Sequence, residues 1–333
     1  MDYLIFLRYN EKKIMILMKR TLFSMNASTP AYVYFRGQIR PNAEAVVSIR
    51  NHSLLYGTSI FEGIRGYWIE EQNAIAIFRA KEHFERLLAN ANIFHMHIEE
   101  TLEDCLNLVA ELIRQNAHKG DTYIRPTLFK DGLSIGPCLD KDPTSLSIFT
   151  QPLGDYIPTN KGLHVCVSNW RRNGDNAIPP RAKAGGAYMN TALAVTDARR
   201  AGFDDAIVLT EQGKVSEGSA MNLFMVRNGQ LITPSNTENI LEGITRDTII
   251  QIARQELGLS VVERAVERTE LYVADELFFC GTGAQVASVT KVDHRPIGTG
   301  EVGALSQQIQ DLYFKVVRNQ VPAYSHWCQL VQM

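Results

Sequence analysis

The sequence is short of charge asymmetry, of paired cysteines and of long apolar runs. Its 333 residues carry 34 basic and 36 acidic side chains, for a net charge of −2. That balance offers no basic face to nucleic acid or to an anionic membrane. The five cysteines (Cys105, Cys138, Cys166, Cys280, Cys328) are odd in number, widely spaced and free of any C-x-x-C pattern. They read as free thiols in a reducing, cytoplasmic setting, not as a disulfide framework or a zinc site. The longest apolar runs fall well short of the roughly 20 residues that a spanning helix needs.

What is present is material for cores. Hydrophobic residues make up 45% of the chain and charged residues 21%, a globular composition, and the length favours about two domains. Residues 1–28, "MDYLIFLRYNEKKIMILMKRTLFSMNAS", mix apolar and basic side chains, with Asp2 and Glu11 interrupting and no small-residue cleavage site. A secretory signal is therefore not expected. The segment reads as a loosely attached extension, or as the product of an upstream start ahead of Met18 or Met25.

The pattern predicts two short strands around Arg36-Gly37 and a strand at Ala74–Phe78. A helix follows from about Ala80 to Phe94, with Phe84, Leu87, Leu88 and Ala91 at helical spacing, and a second runs from Thr101 to His118. Strands are expected at Thr122–Phe129 and over "LSIFTQ". The Pro/Gly/Asn-rich "PLGDYIPTNKG" then divides an N-terminal domain, 29–155, from a C-terminal domain, 163–333, with 156–162 as linker. Beyond it the pattern gives strands at Leu163–Trp170, Asp205–Thr210 and Leu223–Val226, the last joined to Gln230–Thr233 by an Asn228-Gly229 turn. Helices are expected at Tyr188–Ala201, after Gly243 and from near Val302, and "DELFFCGTGAQVASVTKV" reads as strand, glycine turn, strand. Strands and helices mix without a regular βαβ rhythm, so the expected class is α+β.

Three short motifs have dull explanations. "GLSIG" (Gly132–Gly136) matches a nucleophile elbow, but Pro137 follows at once where a helix should start. "HMH" (His95, His97) with Glu99 and Glu100 lacks an obvious third ligand, so a surface cluster is expected and no metal site. "GTGAQ" (Gly281–Gln285) has neither a Walker lysine nor a strand–helix setting.

"AIPPRAKAGGAYMN" (Ala177–Asn190) is different. It holds one lysine, Lys183, among small residues, with no acid in the window and Tyr188 five positions on. Downstream, "GKVSEGSAMNLF" carries Glu217 out of a strand-like segment. "LEGITRD" sets Gly243, Ile244 and Thr245 at a helix start, where free N–H groups suit a phosphate. "HFERL" adds Arg86 at the border of a helix's apolar face. A reactive amine, an acid, an anion-binding helix end, an arginine and a glycine turn together match the needs of pyridoxal phosphate. Each alone is equally well read as an ordinary loop or strand residue.

In order and spacing these blocks resemble the fold type IV pyridoxal-phosphate enzymes, and within them the branched-chain amino acid aminotransferases. The blocks are "HSLLYGTSIFEGIRGY", "HFERL", "YIRP", "KAGGAY" and the long stretch from Glu217 to Arg246. The resemblance runs from about Tyr34 to the last helix. It implies a smaller N-terminal α/β domain and a larger C-terminal mixed-sheet domain of pseudo-barrel form, with the active site between them. It further implies that Lys183 forms the Schiff base with pyridoxal 5'-phosphate and then moves the substrate's proton. Glu217 would meet the pyridine nitrogen and Tyr188 the ring 3′-oxygen. Arg86, Gly243, Ile244, Thr245 and Thr282 would hold the phosphate, and Leu241 would pack on the ring.

For the substrate, Tyr123 and Arg125 of "TYIRP" should share one strand face, with Arg125 receiving the distal carboxylate of glutamate. Tyr56, Phe61, Tyr123 and Tyr156 would supply apolar wall, and Gly281, Thr282 and Gly283 amides for the α-carboxylate. Ile135 would reach a neighbouring subunit's site, in a homodimer or higher homo-oligomer. The implied reaction is ping-pong transfer of the amino group of L-leucine, L-isoleucine or L-valine to 2-oxoglutarate. The alternatives are a D-amino acid aminotransferase, an aminodeoxychorismate lyase on the same fold, and a non-catalytic cofactor-binding protein. Two positions depart from the family pattern. Glu242 replaces a frequent proline beside the phosphate turn and should point outward, and Leu153 replaces an aromatic residue of the pocket.

Overall fold

Arg36 and Gly37 turn the chain with φ of +52° and +79°. The backbone there pairs β1 (Tyr32–Phe35) with β2 (Gln38–Pro41), as a two-residue primed turn demands. The structure, a computed structural model, describes residues 29–154 and 161–333. The extension at 1–28 and the greater part of the expected linker lie outside the described residues.

A short helix α1 (His52–Tyr56) leads to β3 (Ser59–Phe61), β4 (Ile64–Ile69) and β5 (Ala74–Phe78). Two helices follow, α2 (Ala80–Ala91) and α3 (Leu102–Gln115), and then the long antiparallel pair β6 (Thr122–Lys130) and β7 (Thr144–Pro152). The apolar spacing of the helices is used as expected: Phe84 and Leu87 of α2, and Cys105, Val109, Leu112 and Ile113 of α3, are buried in one core with the sheet. Thr101 is the cap of α3, sharing reciprocal hydrogen bonds with Asp104, the capping box that the sequence pattern carries. The helix expected to run to Phe94 ends at Ala91 and tightens into a 3₁₀ turn over Asn92–Phe94.

The second half contains β8 (Leu163–Arg171), α4 (Tyr188–Arg200), β9 (Asp205–Leu209), β10 (Val215–Gly218), β11 (Asn222–Arg227) and β12 (Gln230–Thr233). It continues through α5 (Ile244–Gln255), β13 (Val261–Glu263), β14 (Glu276–Gly281), β15 (Gln285–Val292), β16 (Arg295–Pro296) and α6 (Ala304–Val317). These strands build a nine-stranded sheet in the order β10-β9-β8-β15-β14-β11-β12-β13, with β16 on β15. Its pairings are mixed: β8 is parallel to β9 and β15, whereas β14 is antiparallel to β11 and β15. The molecule is α+β, with two sheets and helices packed on each.

The last strand, β17 (Cys328–Gln332), returns to the first sheet and pairs antiparallel with β5. That sheet therefore has eight strands, in the order β17-β5-β4-β6-β7-β1-β2 with β3 on β6. The end of the chain shares a sheet with the N-terminal half, so a cut after the linker separates strands that pair. Tyr67 and Phe78 of the first sheet pack in one cluster with Phe224, Phe278, Tyr313 and Trp327, and the hydroxyls of Tyr67 and Tyr313 meet at 3.3 Å. The two halves are thus joined by a continuous core that fixes the cleft beside it.

Candidate active site between the sheets

The lysine loop leaves β8 and is stitched to β3 of the other half. The Phe61 amide donates to the Lys183 carbonyl at 3.3 Å and the Gly186 amide to the Gly57 carbonyl at 3.2 Å, while Ile60 and Ala184 form a β-bridge. Lys183 is held at φ +51°, a region that non-glycine residues enter at a cost and keep only where their surroundings impose it. Its amine lies over the rings of Phe61 and Tyr188, 5.3 and 5.8 Å from their centroids, and it pairs with no carboxylate among the described residues.

Across the cleft stands Glu217 on β10, 2% exposed. One carboxylate oxygen meets Arg172 Nη2 at 2.7 Å. The other accepts from Asn222 Nδ2 at 2.9 Å and the Leu241 amide at 3.2 Å. Burial raises the Glu217 carboxyl above its ordinary range, opposed mainly by the Arg172 charge, then by the Leu241 amide and Lys183.

Gly243 caps α5 without any side-chain cap. A Cβ at this position would stand 1.9 Å from Asn222 Oδ1; glycine is thus required because Asn222 occupies that space while it braces Glu217. The first-turn amides at Ile244 and Thr245 lie at an uncapped, positive helix end, a setting that attracts an anion. Arg86 of α2 faces the same place. Its Nε and Nη2 donate to Glu62 at 2.7 Å each, its Nη1 donates to the Glu242 carbonyl, and His83 Nδ1 meets Glu62 at 2.8 Å. Burial alone would raise the Glu62 carboxyl, but the Arg86 charge and the bonds from His83 and Arg86 hold it well below the usual carboxylate range. The Glu242 side chain points away and pairs with Arg181 at 2.9 Å, both about half exposed. Its charge is thereby neutralised outside the cleft, so the departure from proline does not repel an anion.

Tyr123 and Arg125 share one face of β6. Arg125 Nε donates to the Tyr123 hydroxyl at 2.8 Å, and the guanidinium lies 4.1 Å over the Phe61 ring. Gly63 makes room for them, because a Cβ there would stand 2.8 Å from the Tyr123 hydroxyl oxygen. The turn Gly281-Thr282-Gly283 and Leu153 close other sides of a cavity of about 340 Å³, which also reaches Arg86, Lys183, Tyr188, Glu217, Leu241, Gly243, Ile244 and Thr245.

Tyr56, expected in the wall, is elsewhere, and so is Ile135, whose expected place is a neighbour's site. Tyr56 and Ile135 do not line this chain's cavity: the Tyr56 ring packs on His52, its hydroxyl accepts from the Gly136 amide at 2.9 Å, and Ile135 is 81% exposed on the same loop. Helix α1 turns Tyr56 toward that loop, away from this chain's own cavity. Tyr156 lies outside the described residues. On the "GLSIG" loop no helix follows Ser134, whose hydroxyl donates to Asp142 at 2.5 Å, so no nucleophile elbow forms. Conversely, Glu62, His83, Arg172 and Asn222 join the site without having been singled out. Glu62 meets Arg86 across 24 positions, whereas Asn222 reaches Glu217 across five, and the one local signal is Glu62, a charge set in the apolar, glycine-containing "SIFEGI".

Comparison with known proteins bears on this cavity. The family described as amino-transferase class IV matches residues 59–292. A probable branched-chain-amino-acid aminotransferase of Aquifex aeolicus is 45% identical over 296 residues, 89% of this chain and 95% of that protein. The branched-chain amino acid aminotransferase of Thermobaculum terrenum, solved in its PLP form, superposes with a TM-score of 0.88 at 37% identity, covering 92% of this chain and 100% of that one. A branched-chain aminotransferase from T.th., complexed with N-(5'-phosphopyridoxyl)-L-glutamate, gives 0.85 at 37% identity, covering 90% and 98%. The cavity suits the cofactor of those structures: an amine with no carboxylate partner among the described residues, a buried carboxylate, and a helix end without a side-chain cap.

Proposed function

From the premise that this chain belongs to the class IV aminotransferases and is a pyridoxal-phosphate-dependent branched-chain-amino-acid aminotransferase, we propose that it passes the amino group of L-leucine, L-isoleucine or L-valine to 2-oxoglutarate. The transfer is ping-pong, one amino acid leaving as its oxo acid before the other enters. The observation that carries this reading is the Tyr123–Arg125 pair in the same cavity as the Lys183 amine. A hydrogen-bonded phenol and guanidinium beside the Phe61 ring suit both an apolar side chain and a distal carboxylate.

When bound, pyridoxal phosphate supplies an aldehyde for amines and a ring that takes up the electrons left by a broken Cα–H bond. Lys183 would hold the cofactor and could then move the proton at the substrate carbon. With no carboxylate partner among the described residues, its amine is available for both. Glu217 would stabilise a proton on the ring nitrogen, and Arg172 and Asn222 keep that carboxylate in place. Tyr188 and Leu241 line the same cavity, where Tyr188 would meet the ring oxygen and Leu241 would pack on the ring. Arg86, Gly243, Ile244, Thr245 and Thr282 hold the phosphate. The amides of Gly281, Thr282 and Gly283 receive the substrate's α-carboxylate, while Arg125 receives a second carboxylate when there is one.

The enzyme works as a homodimer or higher homo-oligomer in the cytoplasm. Support comes from Tyr56 and Ile135, which stand outside their own cavity on an exposed apolar surface with Leu54 and Leu133 and so suit the wall of a neighbour's site. Among the described residues, no helix is long and apolar enough to cross a membrane. The test is a panel of amino donors given with 2-oxoglutarate, reading glutamate. L-leucine, L-isoleucine and L-valine should each yield it. Faster transfer from D-alanine, or pyruvate release from aminodeoxychorismate, would sink the reading.

A further inference from the structure

Arginine has five N–H donors in a rigid fork, and in Arg86 three are already committed. Nε and Nη2 donate to the two carboxylate oxygens of Glu62 at 2.7 Å each, and Nη1 to the Glu242 carbonyl. One N–H remains on each terminal nitrogen, and these are the donors available to the cavity that Arg86 lines. Glu62 is itself over-determined. Its amide donates to the Pro126 carbonyl at 2.9 Å, its second oxygen also takes His83 Nδ1, and it is 1% exposed. His83 and Arg86 sit three residues apart on α2, so one helix face presents both to the same acid.

A buried ion pair of this kind is a poor source of net stability, since the cost of removing both charges from water offsets their attraction. What it supplies is orientation. A long, many-rotamer arginine is turned so that its last two donors form the clamp. Resting on the assignment of Arg86 to the phosphate, we propose that Glu62 is a positioning residue of this enzyme. It acts through Arg86, fixing the guanidinium for the cofactor's phosphate. Glu62 directly follows β3, whose Phe61 amide is bonded to the Lys183 carbonyl. The same short segment therefore ties the phosphate clamp to the lysine loop.

The experiment measures how strongly the full-length apoprotein prefers pyridoxal 5'-phosphate over pyridoxal, which lacks the phosphate, by absorbance titration. A general loss of structure weakens both ligands together, whereas loss of the clamp lowers their ratio. Arg86→Ala should lower the ratio. Glu62→Gln, whose amide cannot accept from both Nε and Nη2, should lower it about tenfold or more, and Glu62→Gln on the Arg86→Ala background should add nothing. Glu62→Asp, which keeps the charge but shortens the reach, gives the same test with a smaller drop should the glutamine variant not fold. If Arg86→Ala leaves the ratio unchanged, the phosphate role of Arg86 falls and the proposal with it. If only the Glu62 variants leave it unchanged, or if their effect adds to that of Arg86→Ala, the proposal alone is overturned.

Discussion

The Gly186 amide donates to the Gly57 carbonyl at 3.2 Å, and a Cβ on Gly57 would stand 2.9 Å from Gly186 Cα. Two glycines from opposite halves of the chain meet backbone to backbone, three residues beyond the lysine. Gly57 also has φ +68°, where a side chain is strained whatever the space. Gly57→Ala should therefore destabilise the protein by about 1–3 kcal/mol and weaken cofactor retention, because it displaces the loop that holds Lys183. Thermal unfolding of apo and loaded protein checks this. Unchanged melting of both forms would show that the contact is not needed.

Lys183→Ala should abolish the borohydride-reducible link between protein and cofactor. It should also slow the half-reaction with L-leucine by at least the roughly 10²–10⁴-fold of a lost acid–base group. Stopped-flow absorbance of the loaded variant reads the rate, and a fully active variant would end the assignment of this amine.

The role proposed for Arg125 sets the two kinds of substrate apart. On that proposal, Arg125→Ala should leave the distal carboxylate of glutamate or 2-oxoglutarate buried without its partner, at a cost of about 1–3 kcal/mol, or roughly 5- to 150-fold in kcat/KM. Leucine offers no such group and should lose much less. Equal losses for leucine and glutamate would assign Arg125 to the fold, not to discrimination.

Acid should weaken the protein partly through Glu62. Although burial opposes it, the Arg86 charge and the bonds from His83 and Arg86 keep this carboxyl well below its ordinary range in the folded chain. As pH falls below about 4.5, the unfolded chain takes up a proton there that the native chain does not, so stability that is complete above that pH drains away. His83, whose pKa burial lowers, contributes in the same direction just below about pH 6.5. Denaturant unfolding of Glu62→Gln between pH 5 and 3 should show a shallower acid slope than the parent. An identical slope would assign the acid loss to other carboxylates.

Much of the secondary structure was legible because its cues are local. Phe84 and Leu87 recur at helical spacing, Thr101 and Asp104 cap a helix, and Asn228-Gly229 turns a hairpin with both φ positive. Strands β3 and β4 were not read, since "SIFEGIRGYWI" breaks alternation with Gly63 and Gly66. The glycines answer to Tyr123 and Ile75, against which a Cβ would collide. Nor was the sheet of β17 legible. Its partner β5 lies some 250 residues earlier, and nothing in "CQLVQ" favours that edge over any other.

The sequence by itself determined the chemistry on offer: one amine free of acids, one acid among small residues, a glycine-led helix start and a Tyr-x-Arg strand, each set by residue type and short spacing. Tertiary structure alone decided which groups hold those in place. Glu62 meets Arg86 across 24 positions, Arg172 meets Glu217, Asn222 fills the space that makes Gly243 necessary, and Tyr56 turns out of the cavity toward the Ile135 loop. Such pairings depend on how two sheets close over a common core, and a charge's partner across a cleft leaves no periodic mark along the chain.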